Sequence, residues 1–483
     1  MLFNSFSFIV FFVFVLFIYF WLPNKNKKVF LLIISYLFYA CWNVKYVLLL
    51  LIVTFITYYS AKQIVKYISY RKIILLICIS FNILLLFLFK YINFSISILN
   101  SFIIKLGGET TFTVWDIILP VGISFYIFQA LSYVIDVYKN RVSVETNIIY
   151  YFLFVSFFPQ LLSGPIGRAD QLMPQFQRQN YRFKFDNARD GLQLIIWGVF
   201  KKIVIANRLA IYVDKVFDNL DRFGTYEIIL ASFFFTIQIY CDFSGYTDMA
   251  VGVAKMMGYD LIRNFKRPYI ADSVSDFWKK WHISLSTWLR DYIYIPLGGN
   301  RVSRFRHKIN ILITFLISGI WHGANWTFVL WGGLHGLAQI FESIFPFRSE
   351  KKMLILIHRF IIFLFVSFAW IFFRANSVRD ICDILKKMTI AVTPLNMDNW
   401  EKFVTGIDFV TFNNVVTHNV INALTILGVI VLFCSQFIIK DDCIDHYLNK
   451  RPRFYRLSIN TIIILLILFC GVFDNTQFIY FQF

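Results

Sequence analysis

The sequence predicts an all-α polytopic membrane protein, with about 11–13 transmembrane or re-entrant helices around a central funnel and amphipathic helices at the interface. Of its 483 residues, 58% are hydrophobic and only 16% are charged. A soluble protein of this length cannot bury so many apolar side chains. Apolar runs such as 8–22, 73–89 and 459–469 approach the length that crosses a hydrocarbon core about 30 Å thick. In lipid such runs must be helical, because every backbone amide needs a partner within the protein.

The basic residues of the chain separate its apolar runs. Lys and Arg outnumber Asp and Glu by 47 to 28, for a formal net charge of +19. Clusters such as 24–28 and 62–72 are typical of cytoplasmic loops. No nucleic-acid-binding module accompanies them, so we exclude nucleic acid as a partner. The seven cysteines have no paired ligand spacing, which predicts neither a disulfide nor a metal site.

The order of apolar runs and basic loops predicts a topology with both termini outside the cell, since the basic cluster 24–28 follows the first span. The predicted membrane segments are 3–22, 29–41, 46–60, 73–89, 115–137, 148–164, 191–213, 228–257, 309–320, 327–344, 354–373, 421–439 and 457–472. We predict basic loops at 62–72 and 168–189. Segment 148–164 ends in Gly and Pro between two positive flanks, which predicts a re-entrant element beside a watery cavity.

The stretch 276–336 places charge and histidine among apolar residues. Its first part belongs to the region 272–307, which we predict to form amphipathic helices on the inner face, with Trp278, Trp281 and Trp288 among the lipid headgroups. The run 309–320 is too short to cross the bilayer at about 1.5 Å per helical residue. His322 should therefore lie part-way through the membrane.

An ionisable group at membrane depth is costly and marks a functional site. Histidine suits proton transfer, because its unperturbed pKa of about 6.5 lies near neutral pH. We therefore predict His322 as the chemical centre. The alternative is a buried histidine whose hydrogen bond to a carbonyl is purely structural.

At these residues the chain resembles a known family. The matching motifs are SGPIGR (163–168), YCDFSGYTDMAVG (240–252), NFKRPY (264–269), FWKKWHISLSTWLRDYIYIPLGGNR (277–301), SGIWHGANWTFVLWGGLHG (318–336), WIFFRA (370–375) and FIYFQF (478–483). They are similar to those of bacterial membrane-bound O-acyltransferases, in particular the alginate and peptidoglycan O-acetyltransferases. The related D-alanyl transferases share the FW-basic-basic-WH and RDY pieces but lack PLGGNR, which favours acetyl as the transferred group.

The resemblance implies one membrane-bound O-acyltransferase domain over 1–483, with a catalytic core at about 115–345 and peripheral spans at 1–114 and 346–483. It implies an acyl thioester such as acetyl-CoA as a cytoplasmic donor substrate, with no bound cofactor. The acyl group would cross the bacterial inner membrane through the protein. A periplasmic esterase-like acetyltransferase partner would then complete transfer to a cell-envelope polysaccharide.

The resemblance also assigns site residues. His322 matches the catalytic histidine, and Tyr480 matches an acyl-accepting relay, for which the alternative is a tyrosine of the membrane-interface belt. His282 either gates the donor or is a structural or surface histidine. The predicted donor funnel comprises Trp321, Asn325, Arg290, Asp291, Asp242, Ser244, Lys279, Lys280 and Arg301.

Several funnel residues have alternative roles. Asp242, Ser244 and Asp248 could line the funnel or pair with Lys201, Lys202 or Arg208, and pairing is the usual state of buried charge. Arg290 and Asp291 are predicted to form an internal pair near the donor entrance. Lys279, Lys280 and Arg301 could bind the phosphates of coenzyme A or anionic lipid headgroups.

Three other functions compete with O-acetyl transfer. D-alanyl transfer to teichoic acid would need a carrier protein as donor. A transporter or flippase would use the buried polar residues without a covalent step. An acyltransferase with a lipid acceptor is the third alternative. Loss of turnover on removing His322 would distinguish a transferase from a transporter.

Overall fold

The computed structural model describes residues 1, 3–109, 112–178, 182–389, 415–439, 444–473 and 479, with the backbone alone at 415–421. The described residues form helices and contain no β-strand. The α-helices are α1 Phe6–Trp21, α2 Asn24–Ala40, α3 Val44–Lys66, α4 Arg71–Leu86, α5 Ile92–Lys105, α6 Ile123–Tyr138, α7 Ile148–Ser156, α8 Phe158–Leu161, α9 Ala169–Gln177, α10 Phe185–Val199, α11 Asn207–Phe217, α12 Thr225–Met256, α13 Val274–Lys280, α14 Ile283–Leu289, α15 Arg304–His322, α16 Trp326–Ile344, α17 Lys352–Arg374, α18 Val378–Thr389, α19 Val415–Ile438, α20 Ile444–Asn449 and α21 Arg453–Cys470.

The helices confirm an all-α polytopic membrane protein. In the described part of the chain, five helices are long and apolar enough to cross a membrane: Val44–Lys66, Ile68–Lys105, Thr225–Met256, Lys352–Arg374 and Arg453–Cys470. Helices α1 and α6 are shorter and also apolar. Large apolar side chains such as Phe17, Phe360 and Phe469 are 73%, 59% and 73% exposed, as expected where lipid is the solvent. The span count of about 11–13 stays a prediction.

The chain divides into two compact units. The N-terminal unit comprises 1–189 with 253–262, and the C-terminal unit comprises 190–252 with 263–483. The C-terminal unit contains every candidate site residue that the structure describes. The predicted single domain with a core at 115–345 stays a prediction.

In the N-terminal unit, the segment predicted to be re-entrant contains broken backbone. The helix stops at Phe157, whose backbone is non-helical, between α7 and α8. The buried amides of Gln129 and Gln160 both donate to the Phe154 carbonyl, Gln160 from 3.0 Å, and the Gln129 oxygen accepts from the Gly167 N–H at 3.3 Å. Side-chain amides thus replace the bonds that the break removes.

Three predicted boundaries in the N-terminal unit are wrong. The span predicted at 115–137 becomes helical only at Ile123, because Pro120 lacks an N–H and Gly122 is left-handed, with φ 78°. Much of the basic region 62–72 is helical, in α3, a 3₁₀ turn and α4. Within the predicted loop 168–189, α9 is helical, since its alanine, leucine, methionine and glutamine residues are good helix formers.

The C-terminal unit begins with a helix that changes its winding. Helices α10 and α11 are joined by a π-helical turn at 200–206, where the predicted 191–213 span carries its charges. Trp278 and Trp288 are each 6% exposed and Trp281 is fully buried. These tryptophans pack inside the protein, so their predicted anchoring among lipid headgroups is wrong.

Candidate active site

The site is built on the close crossing of α15 and α16. A Cβ atom on Gly319 would lie 2.2 Å from the carbonyl oxygen of Phe328, and one on Gly332 would lie 2.3 Å from that of Phe315. Small residues at such positions let two membrane helices approach backbone to backbone. The glycines of the SGIWHG and WGGLHG motifs therefore set how closely α15 and α16 pack, and with it the position of the end of α15.

His322 is the last residue of α15, and the turn after it is held firmly. A Cβ on Gly323 would lie 2.0 Å from the Phe328 ring, so only glycine fits there. Asn325 caps α16 by accepting the Thr327 N–H at 3.2 Å, and its amide donates to the Asn376 carbonyl at 2.7 Å. Asn325 thus shapes the turn that carries His322.

The imidazole of His322 lies in an aromatic cage and is 3% exposed. Its ring centroid is 4.9 Å from that of Trp321, 5.0 Å from that of Trp331 and 5.5 Å from that of Phe373. The His282 ring is 6.4 Å away, too far for a direct hydrogen bond of about 2.9 Å between heavy atoms. The hairpin of α15 and α16, helix α17 and the bend at His282 therefore meet at this imidazole.

His282 is fully buried, so its interpretation as a surface histidine is wrong. Its backbone is left-handed, with φ 43° and ψ 53°, a conformation that costs a non-glycine residue energy. Asn264, from the NFKRPY motif, accepts the next two backbone N–H groups, from Ile283 at 3.0 Å and from Ser284 at 3.1 Å. The Phe243 ring packs on the imidazole at 4.7 Å. A bend held in this way points to a site residue, as strained backbone often does.

A third buried histidine, His335, packs on the other side of Trp331, with ring centroids 5.0 Å apart. Its Nδ1 accepts a hydrogen bond from the Trp278 indole at 3.2 Å. The sequence analysis did not single out Trp331 or Phe373. Trp331 and His335 are four residues apart on one helix, a spacing that predicts a shared face. Phe373 comes from α17, and no local pattern indicated it.

A cavity of about 1290 Å³ lies in the C-terminal unit. Its wall includes Trp278, Lys279, Arg290, Thr314, Ser318 and Glu342. Ser318 lies one helical turn before His322 on α15, so the two share a face. Glu342 accepts hydrogen bonds from the backbone N–H groups of Val274 and Ser275, at 2.5 and 3.2 Å. Lys279 and Arg290 are the lysine and arginine on the wall.

The structure separates the predicted funnel residues into groups. Of them, Lys279 and Arg290 line the cavity, and the other described members lie outside its wall. Arg290 does pair with Asp291, at 2.8 Å, but its side chain is 59% exposed, so the predicted internal location of this pair is wrong. Lys280 pairs with Asp276 at 2.6 Å, and Arg301 is exposed.

Asp242 and Ser244 form the predicted pairs with buried lysines. Lys201 contacts Asp248 at 2.6 Å and Ser244 at 2.9 Å, and Lys202 pairs with Asp242. Arg208 donates instead to the Cys470 carbonyl at 2.8 Å. Tyr480 lies outside the described residues.

Comparison with known proteins agrees with these motifs. Residues 130–382 match the sequence model of the membrane-bound O-acyltransferase (MBOAT) family. The chain is 38% identical to the probable alginate O-acetylase AlgI of Azotobacter vinelandii over 75% of this chain and 72% of the relative. It is 33% identical to the peptidoglycan O-acetyltransferase of Helicobacter pylori over 94% of this chain and 91% of the relative.

A third relative is more distant. The teichoic acid D-alanyltransferase of Bacillus subtilis is 25% identical over 49% of this chain and 62% of the relative. The matched residues 130–382 include both His282 and His322. Its motifs, its helical fold and its similarity to O-acetylating relatives over most of its length show that the chain belongs to the membrane-bound O-acyltransferase family and is an acyltransferase.

Proposed function

We propose that this protein transfers an acetyl group from a cytoplasmic thioester across the membrane, for O-acetylation of a cell-envelope polysaccharide of the peptidoglycan or alginate type. The observation that carries the proposal is a buried imidazole at a helix end, one turn beyond a residue that lines a large cavity. His322 ends α15 one turn after Ser318, which lines a cavity of about 1290 Å³. Transfer between a thioester and a hydroxyl requires a base near the reacting carbonyl and exclusion of water.

In the proposed step, His322 accepts the proton of the attacking hydroxyl. A C–O bond forms at the thioester carbonyl carbon, the C–S bond breaks, and the imidazolium returns the proton to the departing thiolate. An imidazole can both accept and return a proton because its unperturbed pKa, about 6.5, lies near neutral pH. The ring centroid of His282 is 6.4 Å from that of His322, and we assign His282 to the donor gate.

The cavity is the proposed entry for the donor. Lys279 and Arg290 lie on its wall and would contact the phosphates of acetyl-CoA through charge-assisted hydrogen bonds. Both residues lie in a basic stretch that the distribution of Lys and Arg assigns to the cytoplasmic side. In this topology the protein spans the inner membrane as one domain, with both termini outside.

The proposals for the acceptor and for the relay are supported by the relatives and by the C-terminal motif FIYFQF (478–483). The names of the two O-acetylating relatives favour a polysaccharide acceptor and acetyl as the transferred group. We propose Tyr480 as the relay, since a phenol becomes a nucleophile when a base is close. A periplasmic esterase-like partner would take the acetyl group from the tyrosine ester to the polysaccharide.

D-alanyl transfer is the second candidate within the enzyme class. The D-alanyltransferase relative supports it through similarity over 49% of this chain. It would need an acylated carrier protein in place of acetyl-CoA. The greater coverage by the O-acetylating relatives, 75% and 94% of this chain, favours acetyl.

The test uses purified protein in nanodiscs, supplied with radiolabelled acetyl-CoA and followed by peptide mass spectrometry. Wild type is compared with His322→Ala and Tyr480→Phe. We expect label on the C-terminal peptide of wild type and none in either variant. Acetyl release that requires His322 but leaves Tyr480 unlabelled would retain the transferase and eliminate the relay.

No turnover of acetyl-CoA by wild type, even with a periplasmic partner and glycan present, would contradict the acetyl proposal. Turnover of a D-alanyl carrier protein under the same conditions would then identify the second candidate. Turnover of neither donor would favour a transporter.

A further inference from the structure

Two lysine–aspartate pairs lie side by side in the C-terminal unit, one buried on both sides and one with a half-buried aspartate, and the proposed chemistry uses neither. Both lysines are in the π turn 200–206 and both aspartates are in α12. Lys201 contacts Asp248 at 2.6 Å. Lys202 pairs with Asp242, and the side chains of this pair are 4% and 3% exposed. The two pairs are therefore similar in chemistry and in location.

The pairs differ in what the aspartate does with its second oxygen. Asp242 Oδ2 accepts the backbone N–H of Ile479 at 2.9 Å, whereas no hydrogen bond from the described terminal residues reaches Asp248. The same π turn also holds the end of α21, since Val472 donates to the Ile203 carbonyl at 2.9 Å. Val472 and Ile479 are thus each held through their backbone N–H, and Asp242 holds Ile479.

Ile479 belongs to the same hydrophobic core as two rings of the aromatic cage around His322, those of Trp331 and Phe373. Ile479 is 7% exposed and lies in the hydrophobic core that contains Trp281 and Trp331. Phe243, which follows Asp242 on α12, packs against His282 at 4.7 Å between ring centroids. Trp331 packs against His322 at 5.0 Å.

We propose that Lys202 and Asp242 are positioning residues. They hold the C-terminal segment at Ile479, in the hydrophobic core that contains rings of the aromatic cage around His322. A carboxylate between an ammonium group and a backbone N–H forms charge-assisted hydrogen bonds, which are stronger and more directional than neutral ones. Pairing with Lys202 offsets the cost of burying the carboxylate, because an unpaired charge there would be strongly destabilising. This deepens the proposed transferase function and rests on it, since Tyr480 follows Ile479 in the sequence.

The experiment separates the Ile479 bond from the buried charges. In a Lys202→Met background, Asp242→Asn retains an acceptor oxygen, whereas Asp242→Leu has nearly the same size and no acceptor. Hydrogen exchange at Ile479 is followed by mass spectrometry of the C-terminal peptide, in parallel with kcat and KM for acetyl-CoA. The matched control, Lys201→Met with Asp248→Leu, removes the neighbouring pair.

We expect the Asn variant to exchange at Ile479 faster than wild type by less than tenfold, because a neutral acceptor replaces the charge-assisted one, and the Leu variant to exchange at least tenfold faster than the Asn variant. In the Leu variant kcat should fall at least tenfold while KM changes less than twofold, because the donor cavity is lined by other residues. The control pair should leave the exchange at Ile479 unchanged. Rescue by the conservative Asn variant distinguishes positioning from a general loss of packing.

Exchange at Ile479 as slow in the Leu variant as in wild type would overturn the anchor, and faster exchange with an unchanged kcat would overturn its positioning role. If the Leu variant does not fold, Ile479→Pro makes the same comparison, because proline removes the N–H and leaves the ion pair in place. If wild type transfers no acyl group, the proposed function fails, while the exchange comparison still decides the anchor.

Discussion

His322 and His335 lie on the same helical hairpin, α15 and α16, and differ in their surroundings. Both are buried, and the Trp331 ring packs against each at 5.0 Å. His335 lies within α16 and accepts a hydrogen bond from Trp278, which itself lines the cavity. His322 ends its helix, beside His282 and one turn from the cavity wall. The location of His322 at a helix end beside a second histidine, and neither its burial nor its distance from the cavity, distinguishes it from His335 as the candidate for catalysis.

The largest expected effect separates these two histidines. His322→Gln should lower kcat by about 10²–10⁴-fold, the usual contribution of a general base. His335→Leu should keep the rate per folded molecule but lower the melting temperature, since the buried Trp278 N–H loses its acceptor at a cost of about 1–3 kcal/mol. Turnover of acetyl-CoA and thermal unfolding in detergent measure the two effects.

Equal losses of turnover in the two variants, at equal amounts of folded protein, would remove the distinction between the histidines. An unchanged melting temperature in His335→Leu would contradict the packing role assigned to His335.

The second prediction concerns the glycine crossing that places His322. Gly319→Ala puts a Cβ 2.2 Å from the Phe328 carbonyl oxygen, so the helices must separate, at a cost of about 1–3 kcal/mol in stability. Gly333→Ala is the matched control, because its Cβ would meet Leu316 at an ordinary 3.8 Å. We expect a lower melting temperature and lower turnover for Gly319→Ala alone. Equal behaviour of the two alanine variants would contradict the close crossing.

The third and smallest effect concerns the cavity wall. Lys279→Gln and Arg290→Gln should each raise KM for acetyl-CoA by about threefold to tenfold, with the effect shrinking as salt screens the charges. The control is Arg306→Gln, which removes an exposed charge outside the wall. An equal rise in KM for Arg306→Gln would indicate attraction by net charge alone.

The sequence predicted those features that depend on local pattern. His322 was identifiable because an ionisable group within an apolar run is rare. Pairing of Asp242 and Ser244 with the lysines of the preceding helix was also predicted, because buried charges need partners. The helical class followed from the apolar runs, since lipid leaves no other way to satisfy the backbone.

The rest depends on contacts between distant segments. Trp278 and Trp281 were assigned to the membrane interface. Tryptophan has an apolar ring and a polar N–H, which suit a belt at the lipid headgroups as well as a protein core, so the sequence does not distinguish the two. The burial of His282 depends on a left-handed bend that Asn264 stabilises from eighteen positions earlier in the sequence. Phe373 reaches His322 only through the packing of α17.

The most direct test of the central claim is a single-turnover measurement on wild type and His322→Gln at saturating acetyl-CoA. This experiment separates donor binding from the chemical step. We predict that the rate constant for thioester cleavage falls at least about a hundredfold, as expected on losing a general base, while the Kd of the donor stays the same. A His322→Gln protein that binds acetyl-CoA and cleaves it at the wild-type rate would contradict the assignment of His322 as the catalytic base.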